Sequence, residues 1–273
     1  MNFDNICKLI SEAGSDSPRA EAFMLIEKFC GITRAAVLAD RGRDFASPEL
    51  DKALEKRLSH VPLQYIIGEW YFADEKYFVD ENCLIPRPDT ELLLDKACEL
   101  LPRSAVFADL CTGSGCIAIS ALRRRPDTRA FAAELYPNTL RLAVKNAESN
   151  GVSERFTPIC ADVLLPLDFG GEKLDAIISN PPYIRTDVID TLSDEVKHEP
   201  RAALDGGRDG MDFYRAILSL HTPHLKENGF IAFEIGYDEG KAVEELADSH
   251  GFGAELFRDF GGNDRVAILT KRI

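Results

Sequence analysis

The 273-residue sequence predicts an α/β protein, with a mainly parallel sheet covered by helices on both faces and a small all-helical region ahead of it. Three observations carry that expectation. β-prone and helical segments alternate from residue 105 onward, as a parallel sheet with crossover helices requires. Two β-rich runs near the C-terminus are separated only by Gly261-Gly262-Asn263-Asp264, too short for a crossover, so they must pair antiparallel. Residues 1–67 show helical periodicity and short turns instead.

In chain order, Phe3, Ile6, Cys7 and Ile10 share one helical face before Gly14. Ser17-Pro18 and Ser47-Pro48 each read as an N-cap followed by proline in the first turn, and Gly31 reads as a helix stop. Helices this short are unstable alone, which predicts a bundle over residues 1–68. The texture then turns aromatic, with Trp70-Tyr71-Phe72 and Tyr77-Phe78-Val79 around Ala73-Asp74-Glu75, predicting a β-hairpin in a linker at 69–84. The remainder, 85–273, is read as one domain. It opens with a helix ending near Leu101 and capped by Asp89 or Thr90. Strands are expected at 105–110, 129–134, 156–160, 174–179 and 230–235, with helices at 115–124, 137–150 and 241–249. The antiparallel pair falls at 254–260 and 265–270. A Rossmann-like sheet ending in such a pair is the layout of a class I methyltransferase domain rather than of a typical dehydrogenase.

Composition narrows the function. Thirty-two Lys and Arg face 46 Asp and Glu, a formal net charge of −14, and residues 1–80 are acidic like the rest. That argues against a protein whose affinity rests on neutralising phosphates, so no direct nucleic-acid substrate is expected. The longest apolar runs, such as Phe230-Ile231-Ala232-Phe233, fall far short of a membrane span. The N-terminus lacks a basic start followed by an apolar stretch, which points to a cytoplasmic protein. Seven cysteines without a CxxC pair fit reduced thiols better than a disulfide frame or a metal site. His221 and His224, separated by Pro223 and without acidic or thiol neighbours, read as surface residues.

The segment Asp109-Leu110-Cys111-Thr112-Gly113-Ser114-Gly115 follows the first strand of the sheet and opens a helix, where an open α/β sheet binds a nucleotide-like ligand. Gly113-Ser114-Gly115-Cys116-Ile117-Ala118 also satisfies a dinucleotide pattern, and Glu134 ends the next strand under either reading, ready to accept ribose hydroxyl protons. Asp162 and Val163 follow the third strand, where a carboxylate can accept from an adenine amino group and an aliphatic side chain can pack on the ring. That layout suits S-adenosylmethionine, which carries no pyrophosphate and needs close backbone approach rather than an anion cradle.

Asn180-Pro181-Pro182-Tyr183 comes directly after the strand at 174–179. Two prolines lock φ and donate no backbone hydrogen bond, so the segment ends the strand in a stiff corner. Such a corner suits methylation of a planar, weakly nucleophilic nitrogen. The Asn180 side-chain oxygen and the Pro181 carbonyl can each accept one N–H of an incoming NH2, making these two residues the expected catalytic pair. Tyr183 is expected to pack against the planar substrate group.

The sequence resembles the HemK/PrmC family of protein-glutamine methyltransferases that modify class I peptide-chain release factors. The resemblance rests on Pro62-Leu63-Gln64-Tyr65-Ile66-Ile67-Gly68, 85–91, 109–115, 180–184, Glu199-Pro200-Arg201 with 203–207, Glu234-Ile235-Gly236 and Asp264-Arg265, all in the family's order. It implies an N-terminal helical domain that helps dock the release factor. It also implies a domain that methylates the glutamine side-chain nitrogen of a Gly-Gly-Gln loop, a step tied to translation termination. By position Cys111, Thr112, Gly113, Ser114, Gly115, Glu134, Val163 and Asn180 would contact the cofactor, and Asn180, Pro181, Pro182 and Tyr183 the glutamine. Two departures stand out: Cys111 replaces a usual glycine, and Val163 replaces a frequent aromatic.

Two other functions compete. The same corner can grip the exocyclic amine of adenine in DNA or RNA, although acidic charge in both parts opposes that reading. A non-catalytic scaffold that only binds S-adenosylmethionine would have no use for Asn180 and two prolines.

Overall fold

A computed structural model describes residues 1–272 and divides into two compact units, Met1–Glu69 with Ser193–His198, and Trp70–Leu192 with Glu199–Ile273. The first unit holds α1 (Phe3–Glu12), α2 (Pro18–Cys30), α3 (Arg34–Ala39), α4 (Pro48–Leu58) and α5 (Leu63–Ile67). Phe3, Ile6, Ile10, Leu25, Ile26 and Leu50 are fully buried at its centre. The proline starts are present at both α2 and α4, but only Ser47 caps with its side chain, accepting from Leu50 N, and Gly31 ends α2 in the left-handed region. Arg57, 3% exposed, binds Glu21 through two nitrogens at 2.6 and 3.1 Å and Glu195 at 3.2 Å. These bonds fasten the later segment to the bundle.

A hairpin follows, β1 (Glu69–Phe72) and β2 (Glu75–Phe78), which belongs to the second unit from Trp70 onward and whose Phe72 and Tyr77 are buried in that unit's own core. After α6 (Thr90–Leu100) come β3 (Val106–Leu110), α7 (Cys116–Arg124), β4 (Arg129–Glu134), α8 (Pro137–Ser149), β5 (Phe156–Cys160) and β6 (Leu174–Ser179). The chain continues through α9 (Asp212–Leu220), β7 (Leu225–Glu234), α10 (Gly240–Ser249), β8 (Phe252–Arg258) and β9 (Asp264–Lys271). The seven-stranded sheet runs β5-β4-β3-β6-β7-β9-β8. Its first five strands are parallel, while β9 lies antiparallel between β7 and β8, as the short connection demands.

Alternation along each strand separates two cores. Phe107, Ala176, Ile178 and Ala232 face α6, α7 and α8. Ala108, Ile177, Ile231 and Phe233 face α9 and α10. Winding runs outward from β3 through β4 to β5 and then restarts at β6 on the other side, so the loops after β3 and β6 part at the carboxyl edge and leave a crevice. No helix among the described residues is long and apolar enough to cross a membrane.

Two local expectations are corrected. Neither Asp89 nor Thr90 caps α6 with its side chain; Asp89 occupies the cap position, while the Thr90 hydroxyl donates to Glu234 instead. His221 is fully buried rather than on the surface, and its ring nitrogen donates to the Val163 carbonyl.

Candidate active site

The turn after β3 is built around Asp109, which is fully buried. Its Oδ2 accepts from the Thr112 hydroxyl at 2.6 Å and from Ala118 N at 3.1 Å, tying loop to helix. Burial pushes the carboxyl up to about 7 against those bonds. Cys111 sits at φ +62°, a left-handed conformation that costs a residue with a Cβ about 1–2 kcal/mol. Burial raises the Cys111 thiol well above its usual range, and the charges of Glu134 and Asp109 push the same way, so it is a poor nucleophile. Gly113 opens onto free space, whereas a Cβ on Gly115 would lie 2.8 Å from Ile119 Cδ1 and 3.3 Å from Ala143 Cβ. Gly115 therefore serves the packing of α7 on α8.

A cavity of about 470 Å³ lies at this edge. Cys111 and Gly113 line it beside Glu134 from the end of β4, Asp162 and Val163 after β5, and Asn180 and Pro182 after β6. Glu134 accepts from Gly113 N and from Tyr136 N, each at 3.1 Å, so one carboxylate fixes the loops after both β3 and β4. Burial raises its pKa, opposed by these same backbone hydrogen bonds. Asp162 Oδ1 accepts from Leu164 N at 2.9 Å. The Val163 carbonyl accepts a hydrogen bond from His221 Nε2 at 2.8 Å, and burial lowers the histidine's pKa so that the neutral ring is favoured. Among the described residues, no group of three or more His, Cys, Asp or Glu is placed to hold a metal ion.

The corner after β6 has Pro181 and Pro182 buried and Asn180 half-buried. Asn180 Nδ2 donates to Thr90 Oγ1 at 3.2 Å. The corner is strapped to the segment 204–210 by Ile184 N to Leu204 O at 2.9 Å and Gly206 N to Ile184 O at 2.8 Å. A Cβ on Gly206 would lie 2.6 Å from Tyr183 Cα and 2.8 Å from the Pro182 oxygen, so only glycine permits this approach. Glu199, 4% exposed, pairs with Arg87 and accepts from Ile85 N at 3.0 Å. An acceptor-bearing corner beside a nucleoside-sized cavity can hold an NH2 group against a bound donor.

Residues 4–68 match the model of the PrmC N-terminal domain, and residues 88–207 that of the methyltransferase small domain. The release factor glutamine methyltransferase of Aquifex aeolicus is 40% identical over 222 residues, covering 81% of this chain and 78% of that protein. Its namesake from Moorella thermoacetica is 37% identical, covering 96% and 95%. The chain belongs to the release factor glutamine methyltransferase family. A solved methyltransferase from Pyrococcus furiosus shares the fold of this family member with TM-score 0.55 at 19% identity, over 72% of this chain and 89% of that one.

Seven of the twelve residues expected to contact cofactor or glutamine meet at the cavity of this family member: Cys111, Gly113, Glu134, Asp162, Val163, Asn180 and Pro182. Thr112, Ser114, Gly115, Pro181 and Tyr183 do not line it. Thr112 and Ser114 are buried in the turn. Tyr183 turns its hydroxyl onto Glu234 Oε1 at 3.2 Å and packs behind the corner, and burial raises its pKa. Sequence reading missed Asn82, Cys83 and Leu84, which follow the hairpin, and Thr139 on α8, all at the cavity wall. It also missed Phe213 on α9, although Phe213, Tyr214, Ile217 and Leu218 carry the spacing of an amphipathic helix behind Asp212.

Proposed function

We propose that this chain transfers a methyl group from S-adenosylmethionine to the side-chain amide nitrogen of the glutamine in the Gly-Gly-Gln motif of class I peptide-chain release factors, in the cytoplasm. Family membership supports the reaction. The observation that carries the assignment to this site is the half-buried Asn180, whose Nδ2 is already engaged by Thr90 while its side chain lines the cavity.

The residues fit the donor. The cavity of about 470 Å³ falls in the ordinary range for a small-molecule site, and Gly113 leaves its wall open. Glu134 would accept from the ribose hydroxyls, Asp162 from the adenine amino group, and Val163 would pack on the ring. Cys111 and Gly113 would flank the amino-acid portion. Bound there, S-adenosylmethionine supplies an electrophilic methyl group with a thioether as leaving group.

Asn180 Oδ1 and the Pro181 carbonyl would each accept one N–H of the glutamine amide. Held this way, the nitrogen is drawn out of conjugation with its carbonyl and its lone pair is presented to the methyl carbon. No strong base is required of the corner, since the nitrogen loses its proton to water once the new bond has formed. The helical unit would help dock the release factor. Acidic charge across the chain weighs against the adenine-amine alternative.

The test incubates the protein with methyl-labelled S-adenosylmethionine and, in parallel, a class I release factor or an oligonucleotide, then maps the label by peptide mass spectrometry. Label on the Gly-Gly-Gln glutamine alone is expected. Label on adenine, or none on the release factor, would overturn the proposal.

A further inference from the structure

We infer that Glu234 is a positioning residue for methyl transfer, acting through Thr90 to hold the Asn180 amide with its oxygen toward the substrate. The inference rests on the function proposed above and adds a residue that touches neither cofactor nor substrate.

An asparagine presents an acceptor or a donor according to which way its amide is turned, and a half-turn exchanges the two. An NH2 substrate needs the acceptor. At this corner the choice is made by a hydrogen-bond chain drawn from three elements: the start of α6, the loop after β6 and the end of β7. The Thr90 hydroxyl lies 2.6 Å from Glu234 Oε2 and 3.2 Å from Asn180 Nδ2. Thr90 has one proton, and an ionised carboxylate can only accept, so that proton is committed to Glu234. Toward Asn180 the threonine then offers only lone pairs. Asn180 must meet it with Nδ2, which leaves Oδ1 for the substrate.

Glu234 is built to keep this polarity. It is 1% exposed, and its other oxygen accepts from the Tyr183 hydroxyl at 3.2 Å, so both carboxylate oxygens are occupied by donors from the corner and its support. Thr90 is 2% exposed, so water has little access to exchange partners with it. Burial raises the Glu234 pKa, and it is opposed by the Thr90 hydroxyl, the positive charge of Arg265 and the Tyr183 hydroxyl. Arg265 is itself held by Asp259 at 3.1 Å and by Asp89 at 3.6 Å. Glu234 and Arg265, which the sequence singled out without a task, thereby acquire one.

A neutral side chain at position 234 would undo the arrangement. In Glu234→Gln the new amide can donate to Thr90, which frees the threonine proton for Asn180 Oδ1 and turns the asparagine donor toward the substrate. Full-length protein carrying Glu234→Gln, Thr90→Val or Thr90→Ser, with and without Asn180→Ala, is assayed for methyl transfer to a release factor. Donor affinity is followed by calorimetry and folding by thermal melting. Glu234→Gln and Thr90→Val are each expected to lower kcat about 10- to 100-fold with KM for both substrates within about threefold. Thr90→Ser, which keeps the hydroxyl, restores most of the turnover lost in Thr90→Val. In the Asn180→Ala background Glu234→Gln costs less than about twofold, because no amide remains to be oriented.

Equal losses from Glu234→Gln in both backgrounds would overturn the inference, as would a Thr90→Val enzyme within about threefold of wild type. If Glu234→Gln fails to fold, the same cycle run with Thr90→Val decides. If the wild-type protein does not methylate release factors, the functional proposal fails on its own. The orientation of the Asn180 amide, read from high-resolution crystal structures of wild type and Thr90→Val, then decides this inference: Oδ1 toward the cavity in wild type supports it, and Nδ2 there refutes it.

Discussion

Replacing Asn180 by alanine separates chemistry from binding. The substitution removes Oδ1, one of two acceptors assigned to the substrate amide, and leaves Glu134, Asp162 and Val163 in place at the rest of the cavity. Loss of one preorganised hydrogen-bonding group typically costs about 10²- to 10³-fold in kcat, or about 2.7–4 kcal/mol of barrier. The effect on folding is smaller. Asn180 gives up one neutral hydrogen bond, to Thr90 at 3.2 Å, worth about 1 kcal/mol. For a domain of this size that lowers the melting temperature by about 3 °C. The assay is transfer of labelled methyl to a release factor with both substrates saturating, alongside calorimetry of donor binding. Turnover is expected to fall at least about 100-fold while donor affinity stays within severalfold. Turnover within about threefold of wild type would refute the assigned role of the side-chain oxygen.

Glu134→Ala is expected to raise the dissociation constant for S-adenosylmethionine about 10- to 100-fold, since it removes charge-assisted hydrogen bonds worth about 1.5–3 kcal/mol and also releases Gly113 N; unchanged affinity by calorimetry would contradict the ribose assignment. Cys111→Gly relieves left-handed strain of about 1–2 kcal/mol and forfeits about 0.4–1 kcal/mol through the freer unfolded chain. Stability in denaturant titration should therefore rise by between about 0 and 1.6 kcal/mol, while the thiol's departure from the cavity wall tightens donor binding severalfold; weaker binding would count against the placement of the donor. For His221, burial holds the folded-state pKa below the ordinary value of about 6.5, so the unfolded chain takes up a proton first as pH falls. Its contribution to stability is complete above about pH 6.5 and is lost as the pH drops toward the folded-state pKa. Thermal melts should show wild type losing more stability than His221→Gln between pH 7 and about pH 5.5; equal slopes would refute the neutral buried ring.

Much of the fold was legible because the sheet announces itself locally. The segment 105–179 alternates strand and helix patterns, and the five residues between β8 and β9 leave no choice but an antiparallel turn. The position of β9 between β7 and β8 was not legible, since strand order depends on contacts between residues distant in sequence. The site divides along the same line. Glu134, Asp162 and Asn180 each end a parallel strand or follow one within two residues, and parallel strands bring their carboxyl ends to one edge. Thr112 and Gly115 share the loop with Gly113, yet their jobs are to bind Asp109 and to let α7 approach α8, a distinction that depends on which way each backbone unit points. Tyr183 invited a substrate role by adjacency to Asn180, but stiff prolines turn it inward to Glu234, a carboxylate 51 residues away. Thr90 read as a helix cap because threonine often accepts a backbone N–H there; here it is the first helical residue, with Asp89 at the cap position, and its hydroxyl donates to the buried Glu234 carboxylate instead.

The central claim is that Asn180 and Pro181 present two oxygen acceptors to the glutamine amide. A crystal structure of the protein with S-adenosylhomocysteine and a Gly-Gly-Gln peptide tests it most directly. The expected result places the glutamine nitrogen within hydrogen-bond distance of both Asn180 Oδ1 and the Pro181 carbonyl, on the side facing the cofactor sulfur. A glutamine bound elsewhere, or an Asn180 amide turned to offer Nδ2, would contradict it.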